Sequence, residues 1–109
     1  MAGRFRRFGV HLVALDPTVG AEIRKTRPCV IVSPDVANDH LKTVVVVPLT
    51  SSKRPYPTRV DSRFGGVDGQ FAIDQLRAVA QDRCRRRLGE VTQAEQASLL
   101  NALALFFAR

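Results

Sequence analysis

The sequence predicts a mainly β fold of the α+β class, in which short antiparallel strands close into a small barrel and one helix follows at the C-terminus. Three observations predict it. Residues 43–49, TVVVVPL, place four valines in a row, and an unbroken β-branched run favours a strand buried on both faces. Residues 16–35, DPTVGAEIRKTRPCVIVSPD, set a polar, basic, glycine-containing loop directly against an apolar segment, as a small barrel does where it presents reactive side chains. Thr92 with Glu95 three residues on reads as a capping box, each side chain satisfying a free backbone amide of the other. Behind it Leu99, Leu100, Leu103, Phe106 and Phe107 recur at helical spacing.

Taken in order, residues 8–15, FGVHLVAL, form a strand that stops at the Asp16-Pro17 turn, and Pro17 and Gly20 punctuate the loop beyond. Cys29 to Val32 reads as a buried strand beginning at Arg27 or Pro28 and ending at Ser33-Pro34-Asp35. Pro28 holds Arg27 extended at the point where loop becomes strand. Residues 36–40 make a short turn or helical loop before the valine strand, and residues 50–57, TSSKRPYP, make a proline-bounded polar loop after it. Residues 58–60 resume as a short edge strand. Residues 64–69 are a turn cluster, followed by a strand near Gln70 to Ile73 and a continuation through Leu76 to Ala80. Gln93 to Phe107 is the amphipathic helix, which caps the sheet or meets a partner.

At 109 residues the chain reads as one domain, 1–109, long enough to bury a core without staples. Its longest apolar run is far too short to span a bilayer, and residues 1–10 lack the apolar centre of a signal peptide, so the expectation is a cytoplasmic protein with no membrane partner. Cys29 and Cys84 show no metal-ligand spacing, which predicts two free thiols, no metal and no cofactor. Net charge is +7, with 14 arginines against 3 lysines. A planar guanidinium fork grips phosphate at two points, so this bias points to nucleic acid or an acidic partner. Residues 1–54 hold nine bases and four acids while residues 55–109 hold eight and six. The first half is therefore expected to carry more of the anion-binding surface.

Absences narrow the chemistry. There is no G-x-S-x-G, no phosphate loop ending in Gly-Lys, no Cys-His nucleophile pattern, and His11 and His40 stand alone in a strand and a loop. Any reaction must use arginine, hydroxyls, carboxylates and backbone groups. Those suffice for cleavage of RNA by its own 2′-hydroxyl, where the protein need only align the phosphate, stabilise charge growing on its oxygens and move protons. Arginine suits the second task and is poor at the third; a buried cluster of Arg24, Lys25 and Arg27 would ease that weakness.

Four segments in order carry a resemblance to a known family: P-T-V-G-A-E with K-T-R-P, V-P-L-T-S, D-Q-L-R, and R-L-G-E-V before the last helix. From about Arg6 to Phe107 the chain resembles the MazF/PemK family of bacterial toxin ribonucleases. The resemblance implies the CcdB/PemK-like toxin fold, a small SH3-like barrel with a C-terminal helix. It implies a catalytic pair of Arg27 and Thr50, with Arg27 in proton transfer and charge stabilisation and Thr50 donating to a phosphate oxygen. Glu22, in the G-x-E position, would support the site and orient Arg27. Arg24, Lys25, Ser51, Lys53, Asp74, Gln75 and Arg77 would bind RNA, with Ser52 and Arg54 bordering the groove. From spacing alone, a plainer account stays open: Arg27 pairs with Glu22 or Asp35, and Thr50 merely ends a strand. The run Arg83, Arg85, Arg86 and Arg87 extends the RNA path, contacts an acidic partner, or does neither. The chain departs from the family at its first strand, which reads Phe8-Gly9 with His11 two on, in place of Gly-Asp and an aromatic residue.

The family's activity would then be expected: a metal-independent, sequence-selective endoribonuclease acting on single-stranded RNA, leaving 2′,3′-cyclic phosphate and 5′-hydroxyl ends and inhibiting growth. Expected partners are a second copy of the chain and a cognate antitoxin whose acidic C-terminal segment fills the basic groove. The alternatives are a gyrase-poisoning toxin of CcdB type, which would need an exposed apolar terminus, and a non-catalytic RNA-binding protein on the same fold. Helical spacing in Phe106-Phe107 favours core packing over such an anchor.

Overall fold

A computed structural model describes residues 4–109. Seven strands, two α-helices and two 3-10 turns follow one another as β1 (Gly9–Ala14), β2 (Thr26–Ile31), α1 (Asp35–His40), β3 (Thr43–Thr50), β4 (Arg59–Phe64), β5 (Val67–Ala72), a turn at Ile73–Gln75, β6 (Arg77–Ala80), a turn at Gln81–Arg83, β7 (Cys84–Glu90) and α2 (Gln93–Phe107). Every pairing is antiparallel, in the order β4-β5-β3-β2-β1-β7, with β6 also on β3. The sheet curls into a half-barrel. Its ends approach each other: Phe64 at the end of β4 lies beside Gly89 of β7, where even a Cβ would come within 3.3 Å of the ring.

Alternation along the strands sends side chains to two cores. Val10, Val30, Val47, Leu49, Phe71 and Ile73 pack under α2, which adds Leu99 and Ala102. On the other face Val13, Leu15, Cys29, Ile31, Val44, Val46 and Val79 form the second cluster, with Phe5, Ile23 and Cys84 against it. The valine run supplies both, since Val44, Val46 and Val47 are buried and only Val45 is half-buried. Both cysteines are free.

The helix forms where the capping box predicts. Glu95 N donates to Thr92 Oγ1 at 3.2 Å, and Thr92 N donates to Glu95 Oε1 at 2.9 Å. The Ser62 hydroxyl donates a short hydrogen bond to the same carboxylate and ties the helix start to β4. Burial alone would raise the Glu95 carboxyl, but the bonds from Ser62 and Thr92 prevail and hold it below its ordinary value.

Three elements differ from expectation. The short edge strand at 58–60 runs on to Phe64, and the turn cluster shrinks to Gly65-Gly66, both at positive φ, a two-residue hairpin. β7 is a strand where the sequence shows only an arginine run. Its Arg85, Arg86 and Arg87 are exposed, so it has no apolar alternation, yet β1 needs a partner for its second edge and β7 supplies it through two register shifts. The helix end also differs: Leu105, Phe106 and Phe107 are 63%, 41% and 67% exposed, so core packing does not account for them.

Candidate active site

Arg27 and Thr50 are brought together by strand register. β2 pairs β3 through Cys29↔Pro48, Val30↔Val47 and Ile31↔Val46. Carried two residues beyond Cys29↔Pro48, that register leads to Arg27 near the start of β2 and Thr50 at the end of β3, so the two stand at adjoining ends of neighbouring strands. The ladder is not continued there, and two loops flank the opening, residues 15–25 from β1 to β2 and residues 51–58 from β3 to β4.

The arginine is aimed by its own loop. Its Nε donates to the carbonyl of Arg24 at 2.8 Å, and its two terminal amino groups make no hydrogen bond or ion pair among the described residues. Thr50 is 6% exposed, and its hydroxyl oxygen accepts from Ser52 N at 3.1 Å, which leaves the hydroxyl proton free to be donated. The close crossing that buries Thr50 depends on Gly69. Thr50 pairs with Gln70, and a Cβ on Gly69 would come within 2.6 Å of the Thr50 carbonyl oxygen.

Glu22 is placed differently from expectation. Its carboxylate accepts from Val19 N at 2.6 Å and closes a turn in the loop. It forms no ion pair with Arg27, whose orienting contact is the Arg24 carbonyl. Asp35 is not the partner of Arg27 either, because it pairs with Arg6 at 2.7 Å, while Thr50 is the last residue of β3. Arg24 and Lys25 are exposed and Arg27 half-buried, so the expected buried cluster of three cations does not form. The loop backbone beside them is fixed, with Lys25 N donating to Asp16 Oδ2 at 3.1 Å and Leu15 N to the Lys25 carbonyl at 3.0 Å.

The D-Q-L-R residues face inward onto the framework. Gln75 Oε1 accepts from Ile23 N at 3.2 Å while Arg77 donates to the Ile23 carbonyl at 3.2 Å, so the pair mimics a strand neighbour and clamps the first loop. Asp74 accepts from Arg59 at both oxygens and from the Thr58 hydroxyl at 3.0 Å. Burial would raise its carboxyl, but the bonds from Arg59 and Thr58 and the Arg59 charge outweigh that and lower it. These three side chains brace the site, and both Asp74 oxygens are engaged by Arg59 and Thr58.

In the second loop Lys53 pairs with Asp68 at 3.0 Å, whereas Ser51 and Arg54 are exposed. The sequence reading missed the two residues that hold this loop. Gln70, 8% exposed, accepts from Arg54 N at 2.9 Å and donates to Asp61 at 2.9 Å. Arg59 donates to the Ser52 carbonyl at 3.1 Å and lies over the Tyr56 ring at 5.4 Å. Nothing local in the sequence marks Arg59, because its partner Asp74 lies 15 residues away on another element.

A seven-stranded curled sheet with one C-terminal helix, and a half-buried arginine and a buried threonine between two loops at one end, defines a small barrel-like protein of the toxin fold class. Comparison with known proteins names the family. Residues 6–107 match the PemK-like, MazF-like toxin of type II toxin-antitoxin systems, and the chain belongs to that family. It is 37% identical over 110 residues to Endoribonuclease MazF9 of Mycobacterium tuberculosis, covering 92% of this chain and 93% of the relative. A solved endoribonuclease from a Mycobacterial species, in complex with its cognate antitoxin, superposes with a TM-score of 0.78 at 29% identity, covering 95% and 97% of the two chains. MazF of Deinococcus radiodurans shares the fold with a TM-score of 0.81 over 93% and 94%, at 23% identity.

Proposed function

We propose that the protein is an endoribonuclease toxin that cleaves single-stranded RNA at the end of the sheet where β2 begins and β3 ends. The observation that carries this is the placement, at adjoining ends of β2 and β3, of an Arg27 whose two terminal amino groups have no acceptor among the described residues and a Thr50 whose hydroxyl proton is unused there. Both point chemistry at one phosphate. The guanidinium fork binds its non-bridging oxygens and Thr50 donates a third bond, so donors are in place before negative charge develops. The 2′-oxygen attacks phosphorus as the 5′-oxygen leaves in line, giving a 2′,3′-cyclic phosphate and a 5′-hydroxyl with no metal ion. The 2′ proton passes to solvent at the open end, and the departing 5′-oxygen takes one back. Arg27 acts mainly by charge stabilisation, since its neighbours Arg24 and Lys25 stand in water.

Arg24, Lys25, Ser51 and Arg54 line the flanking loops and attract the strand, while Gln75, Arg77 and Asp74 keep those loops in register. An antitoxin with an acidic, flexible segment would compete for the same cations. The exposed Leu100, Leu105, Phe106 and Phe107 suit a second copy of the chain, and the homodimer is read as the working form in the cytoplasm. The test is incubation with end-labelled single-stranded RNA in EDTA beside Arg27→Ala and a matched DNA strand. Discrete cuts in RNA alone, ending in cyclic phosphate and lost in the variant, are expected. Intact RNA with folded protein would sink the proposal and turn attention to the apolar helix end as an anchor for gyrase.

A further inference from the structure

The arginines of β7 take no part in the cleavage end, and they do not stand on a flat surface. A pocket of ≈ 210 Å³ is lined by Arg4, Phe5, His11, Arg85, Arg86 and Arg87. It shares Arg4, Phe5 and Arg85 with a depression of ≈ 420 Å³ that reaches Gln81 and Asp82. None of its four arginines forms an ion pair among the described residues. His11 is 5% exposed, yet its Nε2 has no hydrogen-bond partner among the described residues. A buried polar nitrogen left unpaired is uncommon in a folded protein and calls for an occupant that satisfies it. Register sets His11 opposite Arg87, and a Cβ built on Gly9 would meet both His11 Nε2 at 3.7 Å and Arg87 Nε at 3.9 Å, so the two groups border one space. Burial, then the Arg87 charge, hold the imidazole below its ordinary range, which keeps the ring neutral beside the guanidinium groups.

Four guanidinium groups with one carboxylate, Asp82, on the far rim match a phosphate better than a single carboxylate. The position also favours a nucleic-acid strand. His11 pairs with Cys29, two residues along β2 from Arg27, so His11 and Arg27 share a face of the sheet with their Cα atoms roughly 8 Å apart. We infer that Arg4, Arg85 and Arg87 with the His11 ring form a second phosphate site, which holds a phosphodiester of the RNA beside the bond being cut. The inference rests on the nuclease proposal above.

The test uses the full chain, the Arg85→Ala/Arg87→Ala double variant, and a 2′-O-methyl single-stranded oligoribonucleotide that binds without being cleaved. Both substituted side chains are exposed, so the fold should survive. The KM for cleavable RNA should rise about tenfold with kcat unchanged, and the slope of log affinity against log salt should become shallower by about one to two. The His11 ring protons of the unsubstituted protein should shift when the oligonucleotide is added. Unchanged KM and salt slope in the double variant, or unmoved His11 resonances with RNA bound, would overturn the second site while leaving the nuclease intact. A chain that neither binds nor cuts RNA removes the nuclease proposal and the RNA assignment together. Inorganic phosphate then decides the pocket alone: a saturable His11 shift supports a phosphate site, and no shift removes it.

Discussion

Arg59 meets Asp74 edge to edge, with Nε 2.8 Å from Oδ1 and Nη2 3.2 Å from Oδ2, and the Arg59 side chain is only 9% exposed. This pair joins the start of β4 to the turn after β5, and through the Ser52 carbonyl it also holds the loop that follows Thr50. A segment that reads as a nucleic-acid contact in the sequence thus also braces the fold. Arg59→Ala should lower stability by on the order of 2 kcal/mol, below the value for a fully buried pair because Asp74 is 27% exposed. The midpoint of urea unfolding measures this. RNA affinity lost from Asp74→Asn at full stability would instead show that Asp74 reads bases.

Acid should remove part of the stability through two carboxyl groups. Asp74 and Glu95 are both held below their ordinary values of 3.8 and 4.5, so the folded state favours their ionised forms. A lowered folded value means the contribution is complete above the unfolded value and is lost as pH falls through the folded one. Stability should thus be flat from pH 7 to about 5 and fall below about 4.5. In Asp74→Asn and Glu95→Gln the fall should be shallower, measured by urea unfolding at each pH. An equal slope in all three proteins would contradict the assignment.

The hydroxyl of Thr50 separates chemistry from packing. Thr50→Val keeps the shape of a residue that is 6% exposed but removes the donor, and should reduce kcat about a hundredfold with near-normal circular dichroism. Thr50→Ser restores the donor and should recover most of the rate. Equal rates in the Val and Ser variants would make Thr50 a strand terminus only.

Glu22 and Arg27 should behave unequally. Because the Glu22 carboxylate closes a turn onto Val19 N, Glu22→Ala should loosen an exposed loop and cost less than about tenfold in kcat/KM. Arg27→Ala should cost about 10²- to 10³-fold, the loss typical of a removed charge-stabilising donor. Comparable losses would mean that the loop rearranges on RNA so that Glu22 reaches the arginine.

Gly69→Ala tests the crossing of β5 over the end of β3. With only 2.6 Å between the new Cβ and the Thr50 carbonyl oxygen, backbone must move, at about 1–3 kcal/mol. Activity should fall further than in Glu22→Ala, since the displaced residue is Thr50. Unchanged activity and melting temperature would show that this crossing is loose.

Much of the fold was legible because its signals are local. The valine run, the Arg-Pro junction and the Thr92–Glu95 box each depend on neighbours in the chain, and each element lies within a residue or two of where its pattern put it. β7 was not legible, because a strand made by pairing with β1 needs no apolar alternation when its side chains face water. The site was legible in part. Arg27 and Thr50 stand at strand ends that sequence can locate, but the partners of Glu22, Asp74, Gln75 and Arg77 lie on other elements, up to 54 residues away for Arg77 and Ile23.

What the sequence determined by itself was the order of loops and strands, the surplus of arginine and the family that four short segments define. Tertiary structure decided which charges are neutralised and which are left free. Arg59 and Lys53 are taken up by Asp74 and Asp68, while Arg27 and the β7 arginines have no carboxylate partner among the described residues. It also decided that the last phenylalanines face outward and that His11 is buried beside Arg87 with its Nε2 unpartnered among the described residues. The physical reason is that capping and hydrophobic periodicity act over a few residues, whereas pairing of charges and burial of polar groups depend on which distant strands register brings side by side.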